Sequence, residues 1–122
     1  MRRHGLLLLV ALAAASLAGP AIVHADRKPS HKEKVRIARV VDLPAKCATV
    51  RVSTETKKPK WGSVTFRPGP KDCNQFASNG VTVVRKSVGH WRFVTAGSSF
   101  DCSSLYAQVP KNVAADLGIS CT

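Results

Sequence analysis

Acidic and aromatic residues are scarce in this 122-residue sequence. Seven Asp and Glu stand against 19 Lys and Arg, which gives a formal net charge of +12, and Phe, Trp and Tyr make up 6% of the chain. A chain of this length forms one domain with a modest core, so covalent cross-links matter to its stability. The excess of positive charge attracts polyanions such as anionic lipid headgroups, acidic cell-wall polymers or nucleic acid.

The motifs of thiol, zinc and serine chemistry are also missing. The cysteines form no C-x-x-C pair, have no histidine close by, and lack the second ligand that a zinc knuckle needs. Ser98, Ser99, Asp101 and His90 are near one another in sequence, but no G-x-S-x-G accompanies them, and GSS after a strand is ordinary turn material. The sequence therefore predicts no catalytic residue, no metal and no cofactor.

The first 25 residues have the order of a secretory signal peptide. MRRHG is basic, LLLLVALAAASLAG is apolar, and Val23-His24-Ala25 offers cleavage after Ala25. The apolar run is shorter than the ~20 residues that a membrane-spanning helix needs. We expect residues 1–25 to be removed from an exported protein without a transmembrane segment. Removal of Arg2 and Arg3 leaves 17 basic and 7 acidic residues, a net charge of +10.

All four cysteines lie beyond the expected cleavage site. An even number of cysteines in a small exported chain indicates a disulfide framework. Three pairings are possible, and the sequence alone does not decide among them. The lengths of the closed loops favour Cys47 with Cys73 and Cys102 with Cys121.

The start of the expected mature chain is polar. Residues 26–34, DRKPSHKEK, predict a flexible basic lead-in. Ser30 and Glu33 have the spacing of a capping box, and apolar residues then recur on one helical face. The alternation in KVRIAR also fits a strand. We favour a helix over residues 31–43 and leave the strand open.

Four segments rich in β-branched residues predict an antiparallel sheet with mostly hairpin connections. In CATVRVST, Val50 and Val52 lie on one face, as in a half-buried strand. The same reasoning predicts strands at WGSVTF, VTVVRK and HWRFVT. RPGPKDC is a loop between the first two of them, and Ser87-Val88-Gly89 joins the last two. Asn79-Gly80 is the strongest signal for a tight hairpin turn, because both residues tolerate positive φ.

The end of the chain predicts a helix of about two turns. Pro110 suits a first helical turn and Gly118 a left-handed end. So short a helix does not persist alone in water, and a disulfide across its flanks would hold it on the sheet. Trp61 and Trp91, both on strands, are expected in the core. The sequence thus predicts one α+β domain, residues 35–122, in which a four-stranded antiparallel sheet, an N-terminal helix and a short C-terminal helix are stapled by two disulfides.

Basic residues are concentrated before residue 61. Residues 26–60 carry eleven Lys or Arg against four acidic residues, whereas residues 61–122 have a net charge of +3. This predicts a polyanion-binding surface, although excess lysine can also simply keep a small protein in solution. The runs HKEK and KKPK lack interleaved aromatics, which argues against sequence-specific nucleic-acid binding. The candidate residues are Lys32, Lys34, Arg36, Arg39, Lys57, Lys58 and Lys60.

Two further functions have candidate residues. Glu55, Arg85, His90 and Arg92 could perform general acid-base chemistry in a small secreted ribonuclease. The segment SSLYAQ could be the reactive loop of a protease inhibitor, with Tyr106 as its specificity residue. The ribonuclease idea rests on charge and size without a motif, and the inhibitor idea rests on architectural analogy. The sequence therefore favours a non-enzymatic module that binds an anionic cell-envelope polymer, a membrane surface or a protein partner.

One sequence pattern extends over residues 47–119. A tryptophan follows a Lys-Pro-rich turn, then come G-x-W-x-x-V and a tail of the form F-x-C and V-P-x-x-V-x-x-x-L-G. The residues are Trp61, Gly89, Trp91, Val94, Phe100, Cys102, Val109, Pro110, Val113, Leu117 and Gly118. The pattern resembles small exported bacterial proteins of unknown function. That resemblance implies a secreted α+β domain and no catalytic residues.

Overall fold

The fold is a four-stranded antiparallel sheet with helices on both faces, in a computed structural model that describes residues 26–122. The predicted α+β class is confirmed. The expected signal peptide, residues 1–25, lies outside the described part of the chain. The strand order is β1-β2-β3-β4. The elements are α1 (His31–Val40), β1 (Ala48–Val52), β2 (Lys60–Phe66), β3 (Val81–Ser87), β4 (His90–Gly97), α2 (Cys102–Gln108) and α3 (Lys111–Asp116), with 3₁₀ turns at Ala45–Cys47 and Lys71–Phe76.

Helix α1 settles the choice between helix and strand. The Ser30 side chain accepts a hydrogen bond from the Glu33 backbone N–H at 3.2 Å, as a capping box requires. The Glu33 carboxylate does not complete the box, because it accepts two bonds from Arg27 at 2.7 and 3.0 Å. The first helical turn therefore lies within residues 26–34, the expected lead-in. Arg27 also pairs with Val52 at the sheet edge, so this segment has regular structure that its polar composition does not predict.

One face of the sheet packs against α1. Its hydrophobic cluster joins Ile37 and Ala38 of the helix to the buried valines of β1, β2 and β3. Gly62 lies beneath Ile37, and a Cβ at this position would be 2.9 Å from the Arg51 carbonyl oxygen. The backbone of the neighbouring strand β1 therefore leaves no room for a side chain at this position. Trp91 is half-buried against this cluster.

The opposite face packs against α2 and α3. Trp61, 3% exposed, and Val83 contact a row of apolar residues from the two helices and the chain end, so the core assignment of Trp61 is confirmed. Helix α2 contradicts the prediction of a loop for SSLYAQ. It begins at Asp101, whose carboxylate accepts a hydrogen bond from the Ser104 N–H at 3.0 Å. The aspartate cap and the burial of Leu105 stabilise this helix, although its serine residues are not strong helix formers.

The two disulfides are Cys47–Cys73 and Cys102–Cys121, as favoured by the loop lengths. The first joins the two 3₁₀ turns, and both of its cysteines are fully buried. The second ties the start of α2 to the chain end, where Thr122 also exchanges backbone hydrogen bonds with Phe100 and Cys102.

Of the two predicted turns, Ser87-Val88-Gly89 forms the hairpin and Asn79-Gly80 does not. Asn79-Gly80 only ends the long connection from β2 to β3, and Asn79 does not have positive φ. The positive φ values of a two-residue turn occur at Val88 (49°) and Gly89 (78°), between β3 and β4. The prediction for Asn79-Gly80 is wrong because the 3₁₀ turn, held by the buried Cys73, occupies the connection.

Candidate functional site

Four lysines meet beside the β3–β4 hairpin. Lys57 and Lys58 are exposed on the loop after β1, Lys60 begins β2, and Lys86 lies near the end of β3. Together they line a depression of about 460 Å³. The sheet register places Lys60 directly opposite Lys86. Lys86 was not among the predicted residues, since only the strand pairing brings it to the other three.

The hairpin end of the sheet also carries like charges in opposite positions. Lys60 faces Lys86, and Arg85 faces Arg92 on the other face of the sheet. Like charges directly opposite each other destabilise a sheet, by roughly 0.2–1 kcal/mol per pair. Arg85 is partly accommodated by stacking 5.5 Å from the centre of the Trp61 ring. Folding alone does not favour such an arrangement.

Two arginines of α1 extend the positive surface. Arg36 and Arg39 are exposed and line a second depression, of about 490 Å³, together with His90 and Trp91. The two depressions share Gly89 of the hairpin turn. We call this region the basic hairpin surface, and its cations are Arg36, Arg39, Lys57, Lys58, Lys60 and Lys86.

Five of the seven predicted polyanion-binding residues belong to this surface. Lys32 lies on the same exposed stripe of α1, four residues before Arg36. Lys34 lies elsewhere, in a depression that it shares with Lys28 and Arg67 beside β1. Helical geometry separates Lys34 from Lys32, because positions two apart point in different directions.

The cations of the basic hairpin surface have no ion-pair partner within residues 26–122. The ion pairs of this region are Arg27–Glu33, Lys46–Asp72 and Arg51–Asp26. The pKa of Glu33 is lowered mainly by its hydrogen bonds with Arg27 and in smaller part by the charge of Lys60. The surface is therefore strongly positive, and an external anion meets little competition for it.

A buried carboxylate anchors the lysine loop. Asp116, 5% exposed at the end of α3, accepts hydrogen bonds from the Ser53 hydroxyl at 2.7 Å and from the Thr54 N–H at 3.0 Å. The Ser53 hydroxyl in turn accepts a bond from the Glu55 N–H. The loop that carries Lys57 and Lys58 is thus tied to the helix layer across the sheet edge. Lys57 and Lys58 therefore extend from a loop whose first residues are held by hydrogen bonds.

Comparison with protein families, curated proteins and solved structures finds no match. The resemblance to small exported bacterial proteins stays a prediction. The function of the basic hairpin surface is therefore argued from its own geometry and charge.

The residues predicted for serine-type or general acid-base chemistry are brought together only in part. His90 begins β4 and Ser98 directly follows its last residue, so the length of the strand places them about 25 Å apart. Asp101 is used as the cap of α2. The strand register places Arg85, Arg92 and His90 on one face of the sheet, whereas Glu55 is exposed on the loop after β1.

The SSLYAQ segment, predicted as a possible inhibitor loop, is helical. Tyr106 lies within α2, with its hydroxyl 3.3 Å from Sγ of Cys121 and its ring centre 5.2 Å from Lys111 Nζ. A protease inhibitor presents an extended strand to the enzyme. The SSLYAQ segment therefore lacks the backbone that the inhibitor hypothesis requires.

A larger cleft at the other end of the sheet carries no charge. It has a volume of about 630 Å³, and its walls include Leu43, Phe66, Phe76 and several hydroxyl side chains. The lysines and arginines thus gather at the hairpin and not at this cleft. Within residues 26–122, no three His, Cys, Asp or Glu side chains are placed to bind a metal together, and every helix is too short or too polar to cross a bilayer.

Proposed function

We propose that this chain is an exported, non-enzymatic module that binds an anionic surface of the cell envelope through the basic hairpin surface. The observation that supports this most directly is the convergence of six cations from four segments. Helix α1, the loop after β1, strand β2 and strand β3 each contribute, and none of these cations has an ion-pair partner in the described part of the chain.

The alternative, that the lysines only maintain solubility, fits this arrangement less well. A surface that serves solubility needs charges of both signs, mixed and spread out. Here Lys60 and Lys86 are opposed across neighbouring strands, at a cost to the stability of the sheet. Binding of an anion between them converts that repulsion into attraction. The two disulfides also suit an oxidising location outside the cytoplasm.

Binding would be electrostatic and tolerant of ligand structure. Lysine is a flexible point charge, so Lys57, Lys58 and Lys86 can follow an irregular array of phosphates or carboxylates. Nucleic-acid binding by base stacking has little support, because Trp61 is buried and stacked with Arg85, and Trp91 is half-buried against α1. Phosphate and carboxylate groups are the shared chemistry of the expected ligands.

The proposal is tested with long-chain inorganic polyphosphate as the probe, by titration at several NaCl concentrations. We expect the logarithm of the association constant to fall linearly with the logarithm of the salt concentration. The double variant Lys57→Gln/Lys86→Gln should weaken binding and reduce that slope by about 2, one for each lost phosphate contact.

The matched control is Lys71→Gln/Lys111→Gln. Both double variants remove two positive charges from exposed or half-buried positions, but Lys71 and Lys111 lie outside the basic hairpin surface. The control should bind nearly as the parent does. Equal losses in the two double variants would mean that net charge alone acts, and binding that ignores salt would contradict the proposal altogether.

A protein partner is the second candidate, and strand β4 favours it. β4 is an edge strand whose described pairing is with β3 alone, and Phe93 on it is 58% exposed. An open edge can accept a strand from another protein. A true partner should co-purify with the parent but not with Phe93→Asp, and it should protect the β4 amides from hydrogen exchange. A co-purifying protein that leaves β4 exchange unchanged would contradict this use of the edge.

A further inference from the structure

The turn residue Val88 is unusual in conformation and in exposure. Its φ of 49° lies in the left-handed region, and 91% of its surface is exposed at the tip of the hairpin. β-branched residues rarely adopt this conformation, and asparagine before Gly89 would suit such a turn better. Val88 packs against no core cluster of the described chain. Local folding therefore gives no reason for a valine at this position.

The surroundings of Val88 indicate what its side chain contacts outside the molecule. Val88 shares its depression with Lys57, Lys58 and Lys86, and the next residue, Gly89, adjoins the arginines of α1. An apolar side chain thus protrudes from within a group of cations. A polyphosphate chain offers the lysines their counter-charges but offers a valine nothing apolar. An anionic bilayer offers both, with phosphates at the surface and hydrocarbon just beneath them.

We propose that the basic hairpin surface docks on an anionic phospholipid bilayer with the Val88 side chain inserted between the headgroups. This inference rests on the proposed function and adds the identity of the ligand and the orientation of the protein upon it. Neither a single valine nor a cluster of cations anchors a protein firmly, but the two signals together give reversible peripheral binding.

The test compares vesicle binding with polyphosphate binding for the oxidised chain of residues 26–122. This chain contains both hydrophobic clusters and both disulfides, so it holds the complete described fold. The vesicles contain equal parts of phosphatidylcholine and phosphatidylglycerol, and pure phosphatidylcholine vesicles measure the contribution of charge. We expect binding to the anionic vesicles and little to the neutral ones.

The decisive variant is Val88→Asn, which keeps all six cations. The ratio of vesicle affinity to polyphosphate affinity should fall about tenfold, the effect of removing one valine from an apolar environment. The melting temperature should rise, because asparagine suits the left-handed turn. A more stable variant that binds vesicles less well cannot owe the loss to misfolding.

Two further variants extend the test. Val88→Phe should raise the same ratio, because a larger apolar side chain enters the bilayer. Phe93→Ser removes an exposed apolar side chain from β4, away from the tip, and should leave the ratio as in the parent.

The results separate this inference from the proposed function. An unchanged ratio in Val88→Asn would overturn the insertion of Val88 and leave anion binding intact. Binding of polyphosphate without binding of anionic vesicles would overturn the bilayer as ligand. Failure to bind either probe would overturn the proposed function itself.

Discussion

Asp116 connects the packing of the molecule to its candidate site at the scale of one residue. One oxygen of its buried carboxylate holds the Ser53 hydroxyl and the Thr54 N–H, while the other, Oδ1, has no hydrogen-bond partner in the described region. Burial of a carboxylate costs free energy unless hydrogen bonds offset it. The two bonds from the loop are therefore needed to stabilise Asp116 in its buried position. The same loop presents Lys57 and Lys58.

We predict that Asp116→Ala lowers the free energy of unfolding by about 1–3 kcal/mol, because it leaves the Ser53 hydroxyl and the Thr54 N–H without this acceptor. Chemical denaturation measures the change. The affinity for polyphosphate should also fall, since the lysine loop loses its anchor. Glu55→Ala, which removes an exposed carboxylate from the same loop, is the control and should change stability little. A stable Asp116→Ala variant would contradict the anchoring role.

At the scale of the element, α1 depends on its first turn. Ser30 caps the helix, and the Arg27–Glu33 ion pair links it to the residue that pairs with β1. The pKa of Glu33 is lowered, first by its hydrogen bonds with Arg27 and then by the charges of Arg27 and Lys60. A carboxyl group with a lowered pKa in the folded state stabilises that state wherever it is ionised.

This gives a prediction for pH. The stabilisation from Glu33 should be fully present above its ordinary pKa of 4.5 and be lost as the pH falls through the lower pKa of the folded protein. Glu33→Gln should therefore be less stable than the parent at neutral pH, and the difference should shrink in acid. Urea denaturation at a series of pH values measures it, with Glu55→Gln as the control. A difference that grows as the pH falls would contradict the assignment.

Helices α2 and α3 depend on the Cys102–Cys121 disulfide. They have 7 and 6 residues, too few to persist alone in water. They are stable here because Leu105, Val109 and Val113 are buried against Trp61 and because the chain end is closed onto the start of α2.

We predict that Cys102→Ser/Cys121→Ser lowers the free energy of unfolding by about 3 kcal/mol, the entropy of closing a loop of this length. The circular dichroism of the helices should melt before the sheet does. Cys47→Ser/Cys73→Ser is the comparison, and it should cost more, because it also buries two hydroxyls at fully buried positions. Coincident melting of helices and sheet in the first variant would contradict the separate dependence of α2 and α3.

At the scale of the whole molecule, positive charge is in excess, and six of the basic residues lie beside the hairpin. Residues 26–122 carry 17 basic and 7 acidic residues. Ion pairs engage Arg27, Lys46 and Arg51, and the cations of the basic hairpin surface repel one another. Self-repulsion of this kind opposes the compact state until it is screened or neutralised.

We therefore predict that moderate NaCl raises the melting temperature, because screening weakens the repulsion more than it weakens the few surface ion pairs. The rise should be smaller in Lys86→Gln, which removes the repulsion with Lys60. Thermal unfolding followed by circular dichroism at increasing salt provides the measurement. A melting temperature that falls from the first addition of salt would contradict the prediction.

Much of the architecture is local and could be predicted from the sequence. The alternation around Val50 predicts β1, because strand side chains alternate between faces, and Ser30 predicts the start of α1 through its cap. The loop lengths favoured the disulfide pairing that the structure contains. The predicted cations before residue 61 include five of the six on the basic hairpin surface.

Other features depend on contacts between residues distant in sequence, so only the tertiary structure decides them. Strand register brings Lys86 opposite Lys60, and packing on the sheet turns the serine-rich segment after Asp101 into a helix. The 3₁₀ turn at Lys71–Phe76, held by the buried Cys73, occupies the connection before Asn79, which therefore forms no tight hairpin turn. The sequence by itself determined which residues are charged, that Ser30 caps α1 and that four cysteines are available for cross-links, because those are properties of short segments. The fold decided which of them meet, because meeting depends on register and packing across the whole sheet.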